Sequence, residues 1–336
     1  MLNFRLSTHF ILIGSLMISG CSNQNSNLTQ SDKAQPSQLN LGSIERCNTY
    51  SGLPDQWLKN ETSGMVKLPA GEFNLGSNQG YPDEVNFGQK TRKVNAFWID
   101  QTEVTVAQFQ SFVDATHYVT DAEKQNQAAV FEPNLQNPKQ WWALKAGYSW
   151  KFPNGKNSKP ASANEPVRYV TKNDAEHYAI WLDRDLPTEI EWEYAAKAGD
   201  VKDTPLYQHP TDHAQKPKAN YWQGEFPFEN LKQDHFEGIA PVGCFTANAF
   251  GLYDSIGNVW EWTSSPYQGA HDNHMGDYQS LRKQHQSSAN FVIKGGSYLC
   301  ADNYCARFRN SSRHPQEFDL ATTHVGFRTI KRITNN

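Results

Sequence analysis

Apolar residues recur at strand or helix spacing in only a few short stretches of this chain, and long polar runs separate them. From Met65 the run Met-Val-Lys-Leu-Pro-Ala-Gly-Glu-Phe-Asn-Leu-Gly reads as a hairpin turning at Pro69-Ala70-Gly71. Val94 to Asp100 reads as another strand. Thr105 and Gln108 form a capping box, after which Val106, Phe109, Phe112 and Val113 share one helical face. A second helix is expected from Asn173 and Asp174, following Thr171, with Ala175, Tyr178, Ala179 and Leu182 inward. A third is capped by Thr188 with Glu191 and ended by Gly199. The intervening segments 125–165 and 200–245 are long, and loops of that length have a function or are pinned by ions. The pattern predicts an α+β, loop-rich single domain with little regular secondary structure.

Before that domain the pattern changes. Residues 1–20 carry Arg5, apolar stretches from Phe10 to Ile13 and Leu16 to Ile18, and small Ser19-Gly20, the layout of an export signal too short to span a membrane. Residues 22–46 are rich in Asn, Gln and Ser, with little to bury, and read as a flexible tether. The domain is expected from Cys47 to the end of the chain.

Composition adds limits. The 336 residues include 38% hydrophobic and 12% aromatic positions, enough for a core held by scattered aromatic clusters. A formal net charge of -4 with no basic run argues against a nucleic-acid groove.

Two of the five cysteines fall in the stretch Gly295-Gly-Ser-Tyr-Leu-Cys300-Ala-Asp-Asn-Tyr-Cys305-Ala-Arg307-Phe-Arg309. Paired glycines permit a tight turn or close approach, and cationic neighbours favour thiolates. In an exported protein this spacing reads either as a local disulfide or as two soft ligands, for Cu(I) rather than zinc, which wants more ligands. Two other segments offer oxygen. Asn220, Tyr221, Asp234 and Phe236 lie among turn-forming residues, and Asp254, Gly257, Val259 and Glu261 bracket a glycine turn. Each reads either as a solvated loop or as a hard-cation site of the Ca2+ kind.

Four runs now combine: Leu186-Pro-Thr-Glu-Ile-Glu-Trp-Glu-Tyr, Asn220-Tyr-Trp-Gln-Gly-Glu-Phe-Pro, Gly251-Leu-Tyr-Asp-Ser-Ile-Gly-Asn-Val-Trp-Glu-Trp, and Gly295-Gly-Ser-Tyr-Leu-Cys with Gly326-Phe-Arg328. Together, over about residues 65–331, they resemble the formylglycine-generating enzyme (sulfatase-modifying factor) family. The resemblance implies that family's C-type-lectin-like fold. It also implies a copper-dependent oxidase that uses O2 to convert a cysteine in an unfolded sulfatase segment, of the Cys-x-Pro-x-Arg type, to Cα-formylglycine. Carried over by motif, Cys300 and Cys305 correspond to the copper-binding cysteines, Ser297 to the serine of an oxygen pocket and Trp192 to the tryptophan lining it. Asn220, Asp234 and the carbonyls of Tyr221 and Phe236 correspond to one calcium site. Asp254, Glu261 and the carbonyls of Gly257 and Val259 correspond to the other. The end of the leader, Leu16-Met-Ile-Ser-Gly-Cys21, resembles a bacterial lipobox, which implies lipid on Cys21; with Ser22 after it, the expectation is a lipid-anchored protein on the outer membrane, facing the periplasm.

The chain departs from the family pattern at Asp185, Lys172 and His324, the last near the expected substrate groove, and Ala196 and Asn310 replace cysteines of further disulfides. Cys47 and Cys244 are left over and can pair in an oxidising compartment. His271, Asp272 and His274 read as a solvated loop, while Glu189, Glu191 and Glu193 do not converge on one helical point. A noncatalytic binding or assembly lipoprotein on the same scaffold is the competing function, and the cysteine pair is what separates the two.

Overall fold

Strands here are short; among the described residues the longest, Trp260–Pro266, has seven. The computed structural model describes residues 39–86, 91–133, 141–200, 202, 204–269 and 289–333. The leader, Cys21, most of the tether and the His271–His274 loop lie outside them. The elements are α1 Ile44–Thr49, β1 Met65–Leu68, β2 Gly71–Asn74, β3 Thr91–Val94, β4 Phe97–Asp100, α2 Val106–Thr116, α3 Asp121–Gln125, β5 Ala128–Phe131 and β6 Trp142–Lys145. They continue with α4 Lys172–Trp181, α5 Glu189–Lys197, β7 Trp260–Pro266, β8 Asn290–Lys294, β9 Arg313–Glu317, β10 Val325–Gly326 and β11 Ile330–Arg332.

The helices start where their capping residues place them. Thr105, Thr171 and Thr188 each form a reciprocal box with the residue three positions on, and Thr120 with Glu123 forms another at α3 that the sequence reading missed. The expected hairpin around Pro69-Ala70-Gly71 does not form. Leu68 is buried with Phe97 and Ile99, so β1 pairs antiparallel with β4, while β2 pairs with β3 in a separate sheet. The strand read as Val94 to Asp100 is broken between β3 and β4. Segment 125–165 contains the antiparallel pair β5 and β6, whereas 204–245 has no regular strand or helix among its described residues.

The four-stranded sheet, in order β10-β7-β8-β9, backs the region of interest, and β1-β4-β11 forms a second sheet. Between them and the helices lies an aromatic core. Phe109 stacks on Tyr178 with ring centroids 5.9 Å apart and meets Trp150 edge-on at 5.2 Å. Chain ahead of Cys47 belongs to this body too: Leu41 is buried and the Gly42 N–H donates to the Gly243 carbonyl at 2.8 Å. Cys47 and Cys244 form a disulfide across 197 residues of sequence, fastening α1 beside the loop that follows Ala240.

Ion pairs with fully buried side chains replace hydrophobic packing around the irregular loops. Arg309 meets Glu84 at 2.5 Å, Arg328 meets Glu261 at 2.6 Å and Lys294 meets Glu193 at 2.7 Å. Burial opposes ionisation of Glu193, but Lys294 and Lys197 outweigh it and hold the carboxyl at about 2. Such pairs add little net stability when complete and cost much when one partner is lost. Glu84→Ala, which strands Arg309, is therefore expected to destabilise by about 3–5 kcal/mol in urea unfolding. A loss under about 1 kcal/mol, the size expected of an exposed pair, would contradict that role.

Candidate active site

Strand β8 delivers the chain into the Gly295-Gly296 turn, where both residues have positive φ, 95° and 83°. A side chain at Gly296 would place its Cβ 2.2 Å from the Arg307 carbonyl, so glycine is required for the loop to fold back on itself. The next residues make a tight turn in which the Cys300 N–H donates to the Ser297 carbonyl at 2.9 Å and the Ser297 N–H donates to Cys300 Sγ at 3.3 Å. A further turn, closed by the Cys305 N–H to the Ala301 carbonyl at 2.9 Å, brings the second thiol back. The sulfurs stand 3.6 Å apart as free thiols, Cys300 buried and Cys305 half-buried. The two sulfurs are within hydrogen-bonding reach of each other. Burial works against the Cys300 thiolate, but the hydrogen bond from Cys305, the Ser297 donors and Arg307 outweigh it and lower that thiol, while the hydrogen bond to Cys300, then burial and Cys300's charge, push Cys305 up.

Both cysteines open onto a cavity of about 450 Å3 whose walls include Ser297, Leu299, Tyr81, Trp142, Trp260 and His324. The Tyr81 hydroxyl accepts the Ala306 N–H at 3.0 Å, and the Arg307 guanidinium lies over the Tyr81 ring at 4.2 Å while Asp83 grips it at 3.1 Å. The Trp142 ring packs on His324, and burial, with His314 nearby, lowers that imidazole to about 3, so it is neutral at working pH.

Trp192 is elsewhere. Its indole N–H donates to Glu261 at 2.6 Å, and its ring lies where a Gly295 side chain would approach within 3.1 Å, so it buttresses the turn from outside the cavity. Trp260, between Val259 and Glu261 in the sequence, lines the cavity instead, together with Trp142. The sequence reading carried Trp192 over as the pocket tryptophan and named Trp260 only within a motif; the strand alternation of β7, with Trp260 and Trp262 on one side and Glu261 on the other, was the available signal.

The two oxygen-rich sets differ. At the first, Asp234 accepts N–H bonds from Phe236 at 3.0 Å, Tyr221 at 3.2 Å and the Gln223 amide at 2.8 Å, and that same amide donates to the Tyr221 carbonyl. Its oxygens are thus already satisfied by protein donors, and a cation would have to displace the Gln223 amide. The second set is short of donors. Asp254 takes the Gly243 N–H, Glu261 is held by Arg328 and Trp192, and neighbouring Glu103, unforeseen from sequence, is fully buried with one carboxylate oxygen bonded to Asn258 at 3.1 Å and the other unpartnered. Burial first, then Asp254 and Glu261, raise the Glu103 carboxyl well above the usual carboxylate range, and burial raises Asp254 to about 6. Among the described residues no three His, Cys, Asp or Glu side chains are grouped as metal ligands, so a cation here would depend on backbone carbonyls.

Fold and site together define a loop-rich α+β protein with a reduced dithiol at the floor of an aromatic-walled cavity. The sulfatase-modifying factor enzyme 1-like domain matches residues 50–333, and the chain belongs to that family. It is 40% identical over 299 residues to the formylglycine-generating enzyme of Mycobacterium tuberculosis, covering 79% of this chain and 97% of the relative. A Bos taurus relative described as an inactive C-alpha-formylglycine-generating enzyme 2 is 34% identical over 297 residues, covering 82% and 91%. Among solved structures, PvdO from Pseudomonas aeruginosa aligns with a TM-score of 0.56 at 21% identity, over 82% of this chain and 96% of that one, which speaks to the fold. On the first of these likenesses the chain is an enzyme of the formylglycine-generating kind.

Proposed function

We propose that this protein converts a cysteine in an unfolded sulfatase polypeptide to Cα-formylglycine, with Cu(I) held by Cys300 and Cys305 and O2 as oxidant. The observation that carries the reading is the pair of reduced sulfurs 3.6 Å apart at the floor of the cavity, in a chain whose other two described cysteines form a disulfide. Two soft donors, one capped by an amide and one facing the cavity, fit a soft monovalent ion in low coordination and leave room for an incoming thiol. When bound there, copper would supply the O2 and one-electron chemistry. The chain's own residues hold the sulfurs, keep positive Arg307 close to them, and enclose the reacting centre with Trp142, Trp260 and Leu299. Ser297 lies beside the sulfurs at the same wall, its hydroxyl accepting the Leu299 N–H at 3.3 Å. A binding or assembly protein without chemistry would have no use for two opposed thiols kept open in such a place.

Calcium belongs to this proposal at the second oxygen set, where buried Glu103, Asp254 and Glu261 cluster around Arg328 and the carbonyls of Gly257 and Val259 would complete the ligands. The first set, Asn220, Asp234 and the carbonyls of Tyr221 and Phe236, takes a cation only with the Gln223 amide moved aside. The place of action is proposed as the periplasmic face of the outer membrane, through lipid on Cys21, where chains emerging from secretion are still unfolded.

Incubation of a Cys-x-Pro-x-Arg peptide with protein, copper, reductant and O2 should give the mass loss that replaces CH2SH by CHO. Cys300→Ser and Cys305→Ser should each abolish both this conversion and tight uptake of one Cu(I) in a competition titration. Copper uptake undiminished in the double variant would overturn the assignment. For calcium, a ligand present at a hundredfold excess over its Kd stabilises by about 2.7 kcal/mol, so a chelator should lower the melting temperature by several degrees and Asp254→Asn should blunt the drop. An unchanged melting curve would remove the ion.

A further inference from the structure

Lysines are unevenly placed along this acidic chain. From Trp141 to Asn164 there are four, Lys145, Lys151, Lys156 and Lys159, and no Asp or Glu, although the whole chain carries a formal charge of -4. The structure gathers them on one surface. The Ala161 N–H donates to the Lys151 carbonyl at 3.0 Å and closes residues 151–161 into a compact loop, tied down from within by the Tyr169 hydroxyl on the Pro153 carbonyl, also at 3.0 Å. Lys151, Lys156 and Lys159 are all exposed on it. A side chain at Gly147 would come within 3.3 Å of the Lys156 Cβ, so the chain leaving β6 lies against the same loop and brings Leu144, 58% exposed, beside the lysines.

These ammonium groups are not neutralised within the protein. Lys93, Lys124, Lys232 and Lys331 each meet a carboxylate within 3.2 Å, whereas Lys151, Lys156 and Lys159 form no ion pair among the described residues. Like charges fixed in one short loop repel one another, a cost that a negative partner offsets. The position of the loop indicates which partner. Beyond Ala161 the chain runs to Asn164, whose amide donates to the Cys47 carbonyl at 2.8 Å and whose carbonyl accepts the Val242 N–H at 2.9 Å. The basic loop thus leads directly to α1 and Cys47, where the chain coming from Cys21 enters the domain. Residues 22–38 separate Cys21 from Leu39, a length that reaches at most about 60 Å. A lipid on Cys21 therefore keeps the domain near a bilayer but leaves its orientation free.

We propose that the loop 151–161, with Leu144 beside it, docks on anionic phospholipid and so sets which face of the domain meets the membrane. The inference rests on the proposed attachment through Cys21 for its setting and on the lysines for its chemistry. Flexible ammonium groups are drawn to an anionic surface without needing a shaped pocket, and an exposed leucine among them enters the headgroup region.

The test is acetylation footprinting of the full-length protein as the cell processes it, on vesicles of phosphatidylcholine alone or mixed with phosphatidylglycerol, with each lysine read by peptide mass spectrometry. One lysine at an anionic surface favours docking about fivefold, so Lys151, Lys156 and Lys159 should be acetylated at least about fivefold more slowly on the mixed vesicles. Lys67 and Lys216, exposed on other elements, should keep their rates. Salt at about 1 M, which shortens the screening length to about 3 Å, should restore the three rates. Lys151→Gln combined with Lys159→Gln should remove most of the protection at Lys156. Equal rates on the two kinds of vesicle, or slowing spread evenly over Lys67 and Lys216, would overturn the proposal. Protection by soluble polyglutamate but not by vesicles would overturn it too, and assign the loop to an acidic polypeptide. Intact mass reports separately whether Cys21 carries lipid. Protein without lipid, mixed with excess vesicles, still shows the protection if the loop binds them, so the anchor can fail while the inference stands.

Discussion

The buried carboxylate of Glu261 is the node on which the site depends. Arg328 forks onto both of its oxygens at 2.6 and 2.7 Å, and Trp192 adds a third donor at 2.6 Å. Each partner carries the effect outward. Arg328 also donates to the carbonyls of Asp100 and Tyr253, joining β4 to the glycine turn at 254–258, and Trp192 presses α5 against Gly295. The Gly257 N–H donates to the Gly295 carbonyl and the Tyr298 N–H to the Asn258 carbonyl, both at 3.0 Å, so the turn beside Glu261 is also what the cysteine loop leans on. A carboxylate so buried is tolerable only because its lone pairs are filled by charged and neutral donors.

This arrangement explains how little regular structure the protein needs. Long irregular segments expose backbone groups that a core of helices and strands would satisfy internally. Here Asn258, Asn220, Asn248, Asn303 and Arg184 do that work from the side, each bonding at least one backbone carbonyl or N–H of a distant segment. Loops held this way can present rigid side chains to a cavity without forming a strand.

What the sequence disclosed follows the range of each interaction. Helix starts are local, set by Thr105, Thr171 and Thr188 with partners three residues on, and the structure places them as read. The cysteine turn is also local, governed by Gly296 and the short loop to Cys305. The hairpin at Pro69-Ala70-Gly71 failed because strand pairing is decided by distant burial: Leu68 finds Phe97 and Ile99, which no local pattern specifies. Trp192 was placed on the wrong side for the same reason, since only the fold brings it to Glu261. Glu103 was invisible as a member of the acidic cluster because its neighbours Asp254 and Glu261 lie some 150 residues on. The hold on the cysteine loop is likewise distant, with Asn303 accepting the N–H of Phe226 from 77 residues away.

Sulfur is used in two ways in one chain, as a closed cross-link at Cys47–Cys244 and as an open pair at the cavity. The central claim is that a peptide thiol enters this cavity and meets that pair. It is tested most directly by offering a Cys-x-Pro-x-Arg peptide as its mixed disulfide with thionitrobenzoate and locating the adduct by peptide mapping. Attack by an enzyme thiolate releases thionitrobenzoate and leaves the peptide joined to the protein. The account predicts capture at one sulfur of this pair and loss of capture when both Cys300 and Cys305 are replaced by Ser; a peptide that labels neither Cys300 nor Cys305 would contradict it.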